Sequence, residues 1–172
     1  MRPANAIVVA AVALLAPVLL GGTCGGGGGG GAPSATVSFD LATNQLQVGV
    51  PVEVSVVVDT NGGLVQAFDL GVKAPAKKVL LHSAVAGADF DDDGHLALAP
   101  SYQIATGEIR RLVDVRHGAT ALSGHFEVAR FTLSPIKAGA NVMLEFTATS
   151  LAGPNGNDLA VTTLALPLYI TQ

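Results

Sequence analysis

The sequence predicts an all-β domain, a two-sheet β-sandwich of jelly-roll type, and three observations carry that prediction. Apolar residues recur with a period of two from Ala35 onward, turn residues break the runs at short intervals, and no stretch after Ala32 combines a helical period with capping residues. Val37, Phe39 and Leu41 alternate with Ser38 and Asp40; Val52, Val54, Val56 and Val58 alternate with Glu53, Ser55 and Val57; Phe68, Leu70 and Val72 alternate with Asp69, Gly71 and Lys73. Such alternation sends one face of a strand into a core and the other toward water. Val79–Val85, Leu96–Ala99, Ile109–Val115, Phe126–Leu133, Val142–Thr149 and Leu159–Thr163 are further strand candidates, and Leu166–Ile170 closes the series. Between them, Asn61-Gly62-Gly63 and Asn155-Gly156 are hairpin-type signals, and Ala74-Pro75, Gly87, Thr106-Gly107, Ser123-Gly124 and Lys137–Ala140 supply the remaining turns. Many short strands with frequent turns suit a sandwich or jelly roll, and no internal repeat is visible.

The first third of a hundred residues reads as an address. Arg2 gives a basic start, and the apolar run Ile7–Leu20 contains Pro17 and is short for a membrane span, which needs about 20 residues. It fits the apolar region of an export signal, residues 1–23, ending in Gly21, Gly22 and Thr23 just before Cys24. Cys24 is the single cysteine of the chain, so no intramolecular disulfide forms. The arrangement resembles a bacterial lipoprotein signal, which makes Cys24 the expected lipid acceptor, with ordinary secretion as the alternative. Residues 24–34 then form the lipidated cysteine and a tether: Gly25–Gly31 is an unbroken glycine run, with no Lys-Ser/Thr after it to make a phosphate loop. Residues 35–172 are the folded domain, and any membrane attachment is expected through the N-terminal lipid alone.

Several segments resemble cohesin domains. Gly49-Val50-Pro51-Val52-Glu53-Val54-Ser55-Val56 is similar to the second strand of that family, Val65–Val72 to the next, and Pro75 followed by Val79-Leu80 to its proline turn and "VL" strand. Gly124–Leu133 followed by Lys137-Ala138-Gly139-Ala140 resembles the late strand and its Ala/Gly turn. The resemblance covers most of residues 35–172. It implies a sandwich of about nine strands, similar also to some carbohydrate-binding modules. It implies no catalysis, and a protein partner such as a dockerin held on one sheet face.

Asp89-Phe90-Asp91-Asp92-Asp93-Gly94 carries the sharpest local chemistry. Carboxylates at alternate positions followed by Gly match the opening of a calcium loop, because hard Ca²⁺ takes several converging oxygens and the Gly permits the sharp turn. Asp89, Asp91 and Asp93, with His95 through its carbonyl, are the expected ligands. The twelfth position is Pro100, so the usual bidentate Glu is missing. An acidic solvated turn is the competing reading, and a remote acid such as Asp114 or Asp158 would have to complete a metal site. His82, His95, His117 and His125 lack metal-ligand spacing, and Asn155–Asp158 reads as a turn.

Function is expected from binding. Ser123 does not sit in a Gly-x-Ser-x-Gly elbow, and Glu53, Glu108, Glu127 and Glu145 occupy polar positions of alternating strands, which accounts for them without a glycosidase pair. With 9 basic and 13 acidic residues and no basic cluster, nucleic acid is not an expected partner. Arg110, Arg111, Asp114 and Arg116 mark one unusually polar strand, which reads either as an exposed strand laced with charge pairs or as part of the expected partner-binding face. Calcium-assisted polysaccharide binding is the alternative, although the absence of Trp and the presence of only two Tyr leave little for sugar rings to stack on.

Overall fold

The structure is a computed structural model and describes residues 33–90, 95–116 and 120–172. Cys24, the glycine run, Asp91, Asp93 and His117 lie outside the described residues. Eleven strands and no helix are present among the rest. The chain runs β1 (Ser34–Asp40), β2 (Gln45–Gln47), β3 (Val52–Asn61), β4 (Ala67–Lys73), β5 (Val79–Ala86), β6 (Ser101–Gln103), β7 (Glu108–Val115), β8 (His125–Pro135), β9 (Gly139–Ala152), β10 (Ala160–Thr163) and β11 (Leu166–Thr171).

These strands build two sheets. One has four strands in the order β1-β3-β8-β5, the other six in the order β2-β11-β9-β4-β7-β6. All ladders are antiparallel except β11 against β2, where Tyr169 faces Gln45 and Thr171 faces Gln47. The opening segment thus serves both sheets, first as β1 and then, after a short break, as β2. β10 runs beside β1, and just beyond it Leu164 N–H donates to the Val37 carbonyl at 2.9 Å.

The period-two pattern predicts the interior correctly. Val37, Val54, Val56 and Val58 are fully buried, as are Leu70, Val72, Val128 and Leu133. Aromatic rings tie the layer together. Phe39 packs edge-on against Phe131 at 6.3 Å and stacks on Phe146 at 4.1 Å, while Phe68 meets Phe90 edge-on at 4.8 Å. Such rings bury large apolar areas and add a preference for offset or edge contacts.

The departures from expectation have local reasons. The strand count is eleven rather than about nine, and the strands without an expected counterpart, β2 and β6, are three residues long and too short to show a period. Leu96–Ala99 is not a strand; only Leu98 makes an isolated bridge, to Val113, and the edge strand is the fully exposed β6. Asn61-Gly62 does not close a hairpin. Gly62 has φ 69°, but β3 and β4 on either side belong to different sheets, so this turn is a crossing between layers. Lys137–Ala140 is shorter as a turn than expected, since β9 already begins at Gly139. Asn155-Gly156 is a tight turn, with Gly156 at φ 70° and its N–H on the Gly153 carbonyl at 3.0 Å.

Phe131 is 1 % exposed and meets Phe39, two strands away in the same sheet, edge-on. Phe131→Ala is expected to lower unfolding stability by about 3–5 kcal/mol, read by chemical denaturation.

Candidate protein-recognition surface

The outer face of the six-stranded sheet is organised around Gly71 in β4. The β4–β7 register passes from Leu70↔Leu112 to Val72↔Ile109, so Arg110 and Arg111 together stand opposite Gly71. On the other flank it passes from Gly71↔Ala148 to Val72↔Phe146, leaving Thr147 as the extra residue. Two bulges therefore meet at one register position. Each inserts one residue and turns two successive side chains to the same side. Arg110 and Arg111 are both exposed, and so are Thr147 and Ala148. Arg111 adopts φ 61°, a left-handed conformation that costs a residue with a bulky side chain of order 1 kcal/mol or more.

A side chain at Gly71 would have to displace the Thr147 hydroxyl. A Cβ on Gly71 would lie 2.4 Å from Thr147 Oγ1 and 3.3 Å from the Ala148 nitrogen. A shallow cavity of about 290 Å³ lies over this position, lined by Asp69, Gly71, Glu108, Arg110, Arg111 and Thr147, with Gly71 itself buried beneath the Thr147 hydroxyl. Arg110 Nη2 lies 2.8 Å from Glu108 Oε2, and Arg111 Nη2 lies 3.5 Å from Asp69 Oδ2. The hydrogen bond from Arg110 holds the Glu108 carboxyl below the usual carboxylate range, with Thr147 as a second partner, and Glu108 in turn raises Arg110. The Arg111–Asp69 pair is longer, between an exposed Arg111 and a half-buried Asp69, and ion pairs so open to water contribute little to stability.

The same bulge corrects the expected recognition strand. Two outward residues in succession reverse the parity of everything after them, so Leu112 and Asp114 turn inward. Asp114 is 2 % exposed, with Oδ1 accepting the Val115 N–H at 2.8 Å, and it does not join the outer face. Arg116 is engaged structurally. Its Nη1 donates to the carbonyls of Asp89 at 2.7 Å and Phe90 at 2.8 Å, and the guanidinium lies 5.8 Å over the Phe90 ring. Of the four residues expected on this face, Arg110 and Arg111 are brought together, while Asp114 and Arg116 are drawn away. Asp69, Gly71 and Thr147 are the members that sequence patterning missed; adjacent exposed polar pairs in β7 and β9 were the available signal.

Of the expected calcium ligands, Asp91 and Asp93 lie outside the described residues. Asp89 uses Oδ2 to accept the Glu127 N–H at 2.9 Å, which pins the start of the acidic loop to β8. Among the described residues no three His, Cys, Asp or Glu side chains converge as a metal-binding set. On the outer face of the four-stranded sheet, Arg130 lies between two carboxylates, 2.9 Å from Glu127 and 3.5 Å from Glu53, and the Ser55 hydroxyl donates to Glu127 at 3.1 Å. The carboxylates expected on alternating strands are thus held in surface ion pairs, Glu53 and Glu127 on one sheet and Glu108 on the other.

No family model and no curated protein matches the chain. Solved structures do match its fold. The cohesin module of a family 33 glycoside hydrolase from Clostridium perfringens superposes with a TM-score of 0.65 at 17 % identity, over 81 % of this chain and 97 % of that one. A non-cellulosomal cohesin from the archaeon Archaeoglobus fulgidus gives 0.59 at 14 % identity, over 83 % and 93 %. A type I cohesin–dockerin complex from Clostridium thermocellum gives 0.61 at 11 % identity, over 81 % and 93 %. The chain has the cohesin fold, a jelly-roll β-sandwich.

Two tests follow from the geometry. Gly71→Val is expected to destabilise the domain by about 1–3 kcal/mol through overpacking, and Thr147→Gly in the same chain to recover part of that loss, both read by chemical denaturation. Burial holds the Glu127 carboxyl above the usual carboxylate range, with Asp89 and Glu53 acting the same way against Arg130 and Ser55. A raised folded-state pKa gives stability that is present at acid pH and lost as pH rises through it. Glu127→Gln is therefore expected to raise Tm relative to the parent at neutral pH, with the difference shrinking as pH falls below the carboxylate range.

Proposed function

We propose that this protein is a non-catalytic, exported binding module that docks a protein partner, of dockerin type, on the outer face of its six-stranded sheet. The observation that carries the reading is the double bulge around Gly71, which places two exposed arginines and an exposed threonine together on that face. Exposed, partly pre-paired arginines lose less conformational freedom on docking and are frequent interface anchors. The cohesin fold supports the partner class, since cohesins of this fold occur in complexes with dockerins. In this reading Cys24 carries a lipid, and Gly25–Gly31 is the tether that lets the domain swivel above the membrane. No helix of the described residues is long and apolar enough to cross a membrane. Polysaccharide binding is the weaker reading. Tyr102 and Tyr169 are on different strands, and the Tyr102 hydroxyl is engaged by the Ala84 N–H at 2.7 Å, so they make no stacking platform.

The deciding experiment immobilises the full chain and exposes it to the source cells' secreted and envelope proteins in calcium buffer. Proteins with paired calcium-loop modules are expected to be enriched. Their affinity is expected to fall at least about tenfold, about 1.4 kcal/mol, in the Arg110→Glu, Arg111→Glu double variant. Glu53→Lys, on the opposite sheet, is expected to bind as the parent does. Capture that ignores the arginines but responds to Glu53→Lys overturns the assignment of the face.

A further inference from the structure

The cavity over Gly71 does more than flatten the docking face; its chemistry selects what the partner must place there. We propose that it takes a carboxylate side chain of the docking protein, held between Arg110 and Arg111, a subsite that rests on the reading of this face as the docking surface.

Two features support this inference. Both guanidiniums come from one bulge and stand on the same side of the sheet, which is the placement for gripping one planar anion from two directions. The two arginines are held differently. Arg110 is fixed at 2.8 Å by Glu108, whose side chain is nearly covered, whereas Arg111 keeps a longer 3.5 Å contact to a half-buried Asp69. Arg110 is thus a preset wall, and Arg111 is an arm that can exchange its own carboxylate for the partner's with little loss. Planar two-point recognition also distinguishes this site from a general positive field, since it requires the guanidinium fork and a lysine does not supply it.

The exchange makes a distinctive prediction. Asp69 competes with the ligand for Arg111, so removing its charge should tighten binding. Losing a carboxylate from a structural ion pair would have no such effect. The probe is capped glutamate (N-acetyl-glutamate amide), with capped glutamine as the neutral control. Binding is followed by the Nε–H resonances of the arginines in the full chain. Saturable shifts of Arg110 and Arg111 are expected in the millimolar range, as suits a single side chain without its protein. They are expected to disappear in Arg111→Gln, to weaken severalfold in Arg111→Lys, and to saturate at severalfold lower concentration in Asp69→Asn. The backbone spectrum of each variant shows whether it remains folded. Equal response to capped glutamine, no saturation, or insensitivity to Arg111→Gln overturns the subsite. Severalfold tighter binding of trigalacturonate than of capped glutamate overturns the protein source of the carboxylate in favour of an acidic polysaccharide. Failure of the glutamate probe leaves docking on this face standing on the capture experiment. Glutamate binding together with capture indifferent to the arginines overturns the docking reading instead.

Discussion

The long strands of this domain each have one face committed to the apolar layer between the sheets, and the rest of the structure is fitted around that commitment. Residues two apart point the same way, so burying Phe68, Leu70 and Val72 turns Asp69, Gly71 and Lys73 to the other face, where Gly71 is covered by Thr147. A strand cannot change which residues it shows unless it gains or loses one from the ladder. The bulges in β7 and β9 do this at the same height on the sheet. They add polar side chains to the outside of the six-stranded sheet while Ile109, Leu112, Leu144 and Leu151 keep their buried places. The surface chemistry is thus altered without disturbing the packing.

The two sheets are also coupled by a segment that belongs to neither. After β5 the chain turns at Gly87, whose missing Cβ lets it pass within 2.5 Å of the Glu127 carbonyl oxygen as measured from where that Cβ would lie. It then sets Phe90 into the core against Phe68 of the six-stranded sheet. Asp89 fastens the turn to β8, and Arg116, at the end of β7, holds its carbonyls. One aromatic, one carboxylate and one guanidinium therefore join layers whose own ladders never meet. In sequence these residues read as an acidic loop and a polar strand; their tasks appear only when both sheets are in place.

The fold was largely legible because its cause is a local one, the period-two alternation of apolar residues. The valines of β3 and the Phe-Leu-Val series of β4 declare their inward faces residue by residue. β2 and β6 did not, since three residues carry no period and their pairing is set by neighbours distant in sequence. The candidate site was half legible. Arg110 and Arg111 stood out as adjacent charges, but simple alternation would set one of them inward and keep Asp114 out. The bulge reverses both assignments, and its position depends on the register against β4 and β9, which no single strand encodes. Gly71 looked like an ordinary polar-face residue, and its significance lies in the space that Thr147 occupies beside it.

The position of β1 gives the domain a mechanical character. It is the first strand after the N-terminal segment, and it is not a free edge: β3 pairs with it over seven residues on one side and β10 runs along the other. Tension drawn along β1 is resisted by all of those rungs together, as in a lap joint, rather than one at a time as in a zipper. A load on the six-stranded sheet would cross to β1 through the stacked Phe39 and Phe146 rings.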